Sequence, residues 1–476
     1  SGDGGAIEWI GYNGYVKNST FKDNTAAVRG GAVFLENNTE LSCDNTTFDN
    51  CTFISNHAGT NGGAVDWHEG AENGNVLNCI FKDNTANANG GAVYWRGHNG
   101  EIINSNFTNN IAKGLNEGRY GNAGDGGAVF WAGVNGSVAN SRFIDNKAVK
   151  KANSDVGGRG GAIYVGSCNH GNRNITIVDS YFKDNNAGTN GGAIDWYAGA
   201  NDGLVDNTTF IHNIANRSGG AIFWNGHEGT ISFSKFYDNH ALGITNATSV
   251  RGDVTYGGDG GAVMWSGAEG HAIHSNFVNN TAAKRGGAVF LQSAASETSD
   301  NTYFEHSYFA NNVAGTNGGA IDWNEGAKHG NVLNVTFVNN TAKRNGGAIF
   351  WHGENGTVKD STFKNNRATG EAWEYSLIID MGNKIVVGEN GTLTLGNIIV
   401  LQQNHIPLDP AGYAGKLVVL NYTVENQLIF NSYVVTGDAT AGYKWLELDE
   451  IQIKKVESII SPVDWAIDQY FGGDGG

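Results

Sequence analysis

Gly346-Gly-Ala-Ile-Phe-Trp351, followed by Asn355-Gly-Thr-Val and then Ser361-Thr-Phe-Lys-Asn-Asn366, holds the pattern from which the fold of this chain is read. Ala348, Phe350 and Ile349, Trp351 lie on opposite sides of a period-two alternation, which reads as a strand, and Gly346-Gly347 is a turn before it. Outward from this stretch, Gly-Gly-Ala followed by Ile or Val occurs twelve times, with its first Gly at 4, 30, 62, 90, 126, 160, 191, 219, 260, 286, 318 and 346. Between successive copies stands Phe-x-x-Asn, ending at Asn24, Asn56, Asn84, Asn110, Asn146, Asn185, Asn213, Asn239, Asn280, Asn312, Asn340 and Asn366.

The distance from Gly-Gly to the next Phe runs 17, 23, 19, 17, then 17, 22, 19, 17, then 17, 23, 19, 17, so four repeats make one super-repeat and three super-repeats fill residues 1–370. From Phe to the next Gly-Gly the distance is 9, growing only after Phe107, Phe143, Phe236 and Phe363, which places insertions at one corner. A unit this short cannot bury its own apolar face and must stack on copies of itself. Recurrent Gly pairs disfavour a helical solenoid. The expectation is an all-β parallel β-solenoid of about twelve coils, a rod about 55–60 Å long at ~4.8 Å per coil.

Composition agrees. The chain has 476 residues with 71 Gly, 62 Asn and 3 Pro; its 39% hydrophobic content excludes a disordered polymer, and the missing Gly-x-y period excludes collagen. A formal charge of −17 excludes nucleic-acid binding through a basic face, and no apolar run is long enough to span a membrane. All three Pro lie beyond residue 370, where both motifs stop. Residues 371–470 therefore read as an inserted or joining β-rich module, with strands at 377–380, 384–387, 392–395, 397–401 and 416–421 and a short helix from Ser461 to Tyr470. Gly473-Asp-Gly-Gly476 repeats the opening of each super-repeat, so 471–476 reads as the start of a further β-helix repeat.

Alternation sorts the side chains. With Ile7, Val33 and their equivalents inward, the Trp two residues later are inward too. The residue between them faces out, which gives the candidate ligand-binding row Phe34, Asp66, Tyr94, Phe130, Tyr164, Asp195, Phe223, Phe290, Asp322 and Phe350, with Glu8 and Met264 completing it. Aromatic rings with carboxylates between them suit sugars, the rings stacking and the acids accepting hydroxyl hydrogen bonds; they would equally serve to cover the sheet or to pack on a neighbouring chain. With the opposite parity the Trp row would be exposed instead. The recurring Asn after Phe reads as a structural ladder of stacked amides.

No catalytic constellation is found. Asp66, Asp195 and Asp322 recur every four rungs, about 19 Å apart at ~4.8 Å per rung, beyond the separation a glycosidase carboxylate pair needs. His98, His227 and His352 read as solvated turn residues, and no metal site is assigned. The Gly-Asp-Gly-Gly turns at Asp3, Asp125, Asp259 and Asp474 could hold Ca²⁺, although such an Asp more commonly caps backbone; otherwise no cofactor is expected. Arg251-Gly-Asp253 is too short a match to carry meaning. Cys51 and Cys79 belong to a row of small residues before Phe and read as buried free thiols. Among sixteen Asn-x-Ser/Thr sequons, Asn37, Asn135, Asn355 and Asn390 are candidates for glycosylation.

Gly-Gly-Ala-Ile alternating with Phe-x-x-Asn resembles the repeat of chlamydial polymorphic outer-membrane proteins, and the longer pattern from Gly346 to Asn366 resembles the adhesin-like surface proteins of methanogenic archaea. Over residues 1–370 the resemblance implies a right-handed parallel β-helix displayed outside the cell. The expected function is that of a non-enzymatic, extracellular cell-surface adhesin or fibre component whose partners are glycans or surface proteins of other cells. The alternatives are a self-assembling sheath or filament subunit that associates end to end, and a polysaccharide lyase or hydrolase on the same scaffold.

Overall fold

The computed structural model describes residues 2–36, 42–115, 124–152, 156–166, 174–244, 257–294, 297–324, 327–344, 346–351, 353, 356–364 and 366–368, together with the backbone of strands at 385–387, 392–396, 398–400, 416–419 and 422–424. The expected helix at 461–470, the segment 471–476, Asn37, Asn355, Asn390, His352, Asp474 and the tripeptide at 251–253 lie outside them. The described residues are all-β and form a parallel β-solenoid with four sheets. They divide into two compact units, one of residues 1–267 with 280–283 and one of 268–279 with 284–476.

In the first unit one coil runs Ile7–Trp9, Tyr15–Lys17, Thr20–Lys22 and Thr25–Ala26, and each strand pairs in parallel with its counterpart in the next coil, as Ile7↔Val33 and Phe21↔Phe53 do. The four resulting sheets are called here, in chain order, the Trp, second, Phe and Ala sheets. The second unit repeats the arrangement from Val289–Leu291, Ile321–Trp323 and Ile349–Trp351 in the Trp sheet.

Corners are made by single residues in the left-handed region, where Asn and Asp are tolerated better than other side chains. Asn18, Asn50, Asn78, Asn104 and Asn140 turn from the second sheet to the Phe sheet with φ of 51–57°, and Asp23, Asp83, Asn109, Asp145 and Asp184 turn from the Phe sheet to the Ala sheet with φ of 55–57°. Eighteen of the 62 Asn take this conformation among the described residues. The Gly-Gly turn needs glycine twice for different reasons. The first Gly of each pair has φ of 60–68°, and a Cβ on the second would meet the next coil's backbone, as at Gly31, where it would lie 2.0 Å from Gly63 O.

Inside, like stacks on like. Phe81 and Phe107 have ring centroids 4.7 Å apart and an interplanar angle of 1°, and Trp95 and Trp131 stack at 4.9 Å. The Asn ladder is continuous within each unit, from Asn24 to Asn280 and from Asn312 to Asn366. Asn84 typifies it: backbone N–H and Nδ2 both donate to Asn110 Oδ1 at 3.1 and 3.0 Å, Nδ2 also donates to Phe53 O at 3.0 Å, and Oδ1 accepts the same pair of bonds from Asn56. Every polar atom of this buried amide is thus paired. A hydroxyl ladder runs beside it: the backbone N–H of Ser105 donates to Ser141 Oγ, and that of Ser141 to Ser180 Oγ. Cys51 and Cys79 occupy this row as buried free thiols, and burial pushes the Cys79 thiol up to about 12.

Length varies at two corners rather than one: the 23-residue spacings of two second coils lengthen the connections from Leu35 to Thr47 and from Leu291 to Tyr303, between Trp sheet and second sheet. In the first, Cys43 donates to Trp9 O and Glu36 O; in the second, Ser299 occupies the equivalent place and donates to Gln292 O. In the segment after 370, read as an inserted or joining β-rich module, Ile385–Val387, Thr392–Gly396 and Ile398–Val400 pair in parallel with the strands of the preceding coil, Ile349 opposite Ile385. Residue 370 ends the two motifs, not the strand ladder.

One sequence rule becomes visible only in three dimensions. A Cβ on Gly100 would lie 2.4 Å from the ring of Trp95, and Gly14, Gly74, Gly136, Gly203, Gly229, Gly330 and Gly356 face Trp rings in the same way. In the three coils where Leu35, Val165 or Leu291 replaces Trp, the corresponding residue is Thr46, Ile175 or Thr302. We expect Gly100→Ala to cost about 1–3 kcal/mol by overpacking, measured as a lower denaturation midpoint. Trp95→Leu combined with Gly100→Thr should recover most of that loss; a double variant no better than the sum of both single changes would refute the pairing.

Candidate functional site

The row between the inward Val/Ile and Trp lies on the far side of the Trp sheet, with the expected register: Asp66 between Phe34 and Tyr94, Asp195 between Tyr164 and Phe223, Asp322 between Phe290 and Phe350. It is not a free face. Phe34, Asp66, Tyr94, Phe130, Tyr164, Asp195, Met264, Phe290, Asp322 and Phe350 are all buried, Phe223 is half-buried, and Glu8 in the first coil is exposed. Guanidinium groups form part of the cover: Arg29 lies 4.1 Å over the Phe34 ring, Arg159 4.3 Å over Tyr164 and Arg285 4.1 Å over Phe290. A strand three residues long with both faces covered offers these rings no flat surface on which a sugar could stack.

The same arginines occupy the Gly-Asp-Gly-Gly turns. Asp3 Oδ1 accepts from Arg29 N and Nε at 2.9 and 3.1 Å while Oδ2 accepts from Nη2 at 2.9 Å, and Asp125 binds Arg159 identically at 3.0, 3.2 and 2.7 Å. With both oxygens engaged by a forked cation, these two turns are bound to arginine and not arranged for Ca²⁺. The signal was present in the sequence: the residue before Gly-Gly cycles Asp, Arg, Asn, Asn or Ser in every super-repeat, as in Asp125, Arg159, Asn190 and Ser218. It was missed because the arginines stand a coil away from the acids.

Asp66 and Asp195 are 1% exposed, and neither carboxylate has a hydrogen-bond partner among the described residues. Burial raises both to about 8, against the attraction of Arg29 and Arg96 for Asp66 and of Arg159 for Asp195. They carry protons at neutral pH and sit in a sealed layer, so they offer no general base to a substrate. His98 accepts from Val134 N at 3.1 Å through Nδ1, which makes it a turn-fixing group. Asn135 is exposed, but its Nδ2 donates to Asn99 Oδ1 at 3.1 Å.

An accessible concavity lies elsewhere, on the corner between the Phe and Ala sheets of the first unit. A shallow groove of about 550 Å³ is lined by Lys82, Asp83, Asn109, Asp145, Lys147, Asp184 and Asn186, with Asn146 of the amide ladder at its base. Its walls follow from the corner rule. Each left-handed residue points a short polar side chain outward, and the strand residues beside it, Lys82 and Lys147, add ammonium groups. The acids Asp83, Asp145 and Asp184 belong to coils three, five and six, so the row spans about 14 Å along the axis at ~4.8 Å per rung. Asn109 Nδ2 donates to Asp83 Oδ1 at 2.6 Å, which fixes one wall. Amides, carboxylates and ammonium groups in one open trough can exchange hydrogen bonds with a polyhydroxylated, electrically neutral ligand. These residues could be read as corner residues from sequence, but not as a groove.

The Chlamydia polymorphic membrane protein repeat matches residues 18–36, 78–94 and 334–350. No curated protein sequence matches the chain. Solved structures of similar fold include the Agl-KA catalytic domain (13% identity, TM-score 0.45, covering 80% of this chain), of whose length the chain spans 62%. A tailspike protein of Escherichia coli bacteriophage HK620 in complex with a hexasaccharide is similar at 10% identity and TM-score 0.41 over 85% of this chain and 64% of its own. PfbA, a surface adhesin of Streptococcus pneumoniae, is similar at 13% identity and TM-score 0.35 over 87% of both chains.

The buried acids set a pH dependence. Native Asp195 keeps its proton to about pH 8 whereas an unfolded Asp loses it near ~4, so the native state binds more protons across that window and stability falls as pH rises through it. Asp195→Asn should therefore raise the melting temperature at pH 8, with the gain shrinking towards pH 4. A gain larger at pH 4 than at pH 8 would contradict the assignment.

Proposed function

We propose that this chain is a non-enzymatic, extracellular adhesin or fibre component of the cell surface, and that it attaches to other cells by binding glycans in the groove at the Phe–Ala corner. The observation that carries the reading is the groove: polar side chains of both charges and neutral amides, set on rigid stacked rungs and open to solvent. Matches to the polymorphic membrane protein repeat in three separate places support a surface role for the solenoid.

Binding is favoured over hydrolysis by the state of the acids. Asp145 and Asp184 stand on neighbouring rungs, close to the spacing of a retaining glycosidase pair, roughly 5 Å. Asp145 is exposed and Asp184 half-buried, and neither lies in the apolar pocket that would hold a carboxyl group protonated as a general acid. The sealed layer on the Trp sheet contributes rigidity, and no ligand contact is assigned to it.

The test is a glycan array probed with the whole chain and with Asp145→Ala and Lys147→Ala. Loss of one charge-assisted hydrogen bond contributes about 1.5–3 kcal/mol, so each variant should weaken the captured glycan roughly tenfold or more without lowering the melting temperature. Failure of every arrayed glycan to bind, or release of reducing or unsaturated sugar from a polysaccharide, would overturn the proposal.

A further inference from the structure

The row of corner residues that lines the groove changes character in the next two coils. Asp184 is followed on successive rungs by His212 and Asp238, both in the left-handed conformation, and the first residue of the adjoining Ala-sheet strand is His240. The equivalent strand position one rung earlier is Ile214. Two imidazoles therefore converge at this corner from different positions of neighbouring coils: their ring centroids are 5.6 Å apart at an interplanar angle of 84°. One ligand atom each from His212, Asp238 and His240 lie within 4.8 Å of one another, and His240 Nε2 is 3.3 Å from Asp238 Oδ1.

We propose that His212, Asp238 and His240 form a binding site for a single divalent transition-metal ion of the zinc class. Two imidazole nitrogens and one carboxylate oxygen are a donor set that zinc accepts, and calcium and magnesium, which take oxygen ligands, do not. Zinc bonds of ~2.0–2.2 Å in tetrahedral geometry bring donor atoms to about 3.3–3.6 Å of one another, so the side chains must close by roughly 1 Å. His212 and Asp238 are exposed and free to make that rotation while the stacked backbone stays fixed.

The neighbouring groups favour the bound state. Asp184 Oδ1 lies 2.6 Å from His212 Nδ1, so in the neutral ring Nδ1–H donates to the carboxylate and Nε2 keeps its lone pair for a metal. A carboxylate behind a histidine is the usual support of a ligating imidazole. Lys183 Nζ, 3.5 Å from Asp184 Oδ2, holds that carboxylate from its other side. Three protein ligands leave a fourth position facing solvent, as in sites where zinc binds an exchangeable group. Asp184 belongs both to this support and to the groove wall, so the ion would sit at the groove's end; the site itself does not depend on the glycan reading.

The experiment is titration of the untagged whole chain with zinc chloride by calorimetry, with calcium chloride as the contrasting ion. Expected are one zinc site per chain, no comparable calcium site, loss of the zinc site in the double variant His212→Ala/His240→Ala, and binding ~10–100-fold weaker in Asp184→Asn. Since the chain holds 13 His, His306→Ala from a second histidine cluster serves as the control and should leave binding unchanged. Loading with cobalt(II) gives a second reading: strong visible absorption for a tetrahedral site in the parent chain and its loss in the double variant. No zinc binding, or stoichiometry and affinity unaltered in the double variant, would overturn the proposal.

Discussion

Parallel strands stack at about 4.8 Å, and that one spacing governs every layer of this molecule. A side chain in one coil meets its own counterpart above and below, so only groups that can tolerate or use self-contact survive in the interior. Flat rings do so by stacking, as Phe81 and Phe107 do at 4.7 Å. Amides do so by donating from one coil and accepting from the next, as Asn84 and Asn110 do. A charged group cannot, because a column of like charges in low dielectric repels itself.

The acids and arginines before Gly-Gly show how that prohibition is met. Asp3 and Arg29, or Asp125 and Arg159, alternate charge between adjacent coils, so that contact between rungs becomes a forked ion pair. Asp66 and Asp195, two coils from the nearest acid of this kind and flanked by rings, are held protonated near neutrality by burial instead. The four-coil period spaces the acids of the buried layer far enough apart that each sits among aromatic and cationic neighbours rather than beside another carboxylate.

Freedom to vary is left to the corners. Left-handed corner residues point outward, take no part in the interior columns, and change from Asp or Asn to His without disturbing the ladder beneath: Asn213, next to His212, keeps both its amide bonds. A row that alters one residue per rung can therefore carry a recognition surface on an invariant ladder of strands. The polar groove around Asp145 arises in this way, and so does His212, which meets His240 from the adjoining strand.

The columns were legible in the sequence because each coil states them again: twelve copies of Gly-Gly-Ala and of Phe-x-x-Asn give period, strand faces and neighbour register, and Asp66 was correctly set between Phe34 and Tyr94. Periodicity says which residues share a row, since rows follow from strand alternation alone. It does not say what lies over a row. Alternation left open whether the outward face of the Trp sheet is free or covered, and only the folded chain shows Arg29 and Arg159 laid across it, each folding back from the turn over the ring five residues further on. The groove and the histidine pair were likewise beyond reach of sequence, since Asp145, Asp184, His212 and His240 are separated by 26 residues or more, or lie on different sheet positions, and become neighbours through the stacking of coils whose side chains converge across a corner. The sequence by itself determined the repeat, the strand alternation and the interior columns; the tertiary structure decided exposure and convergence, which depend on the path of the chain between those columns.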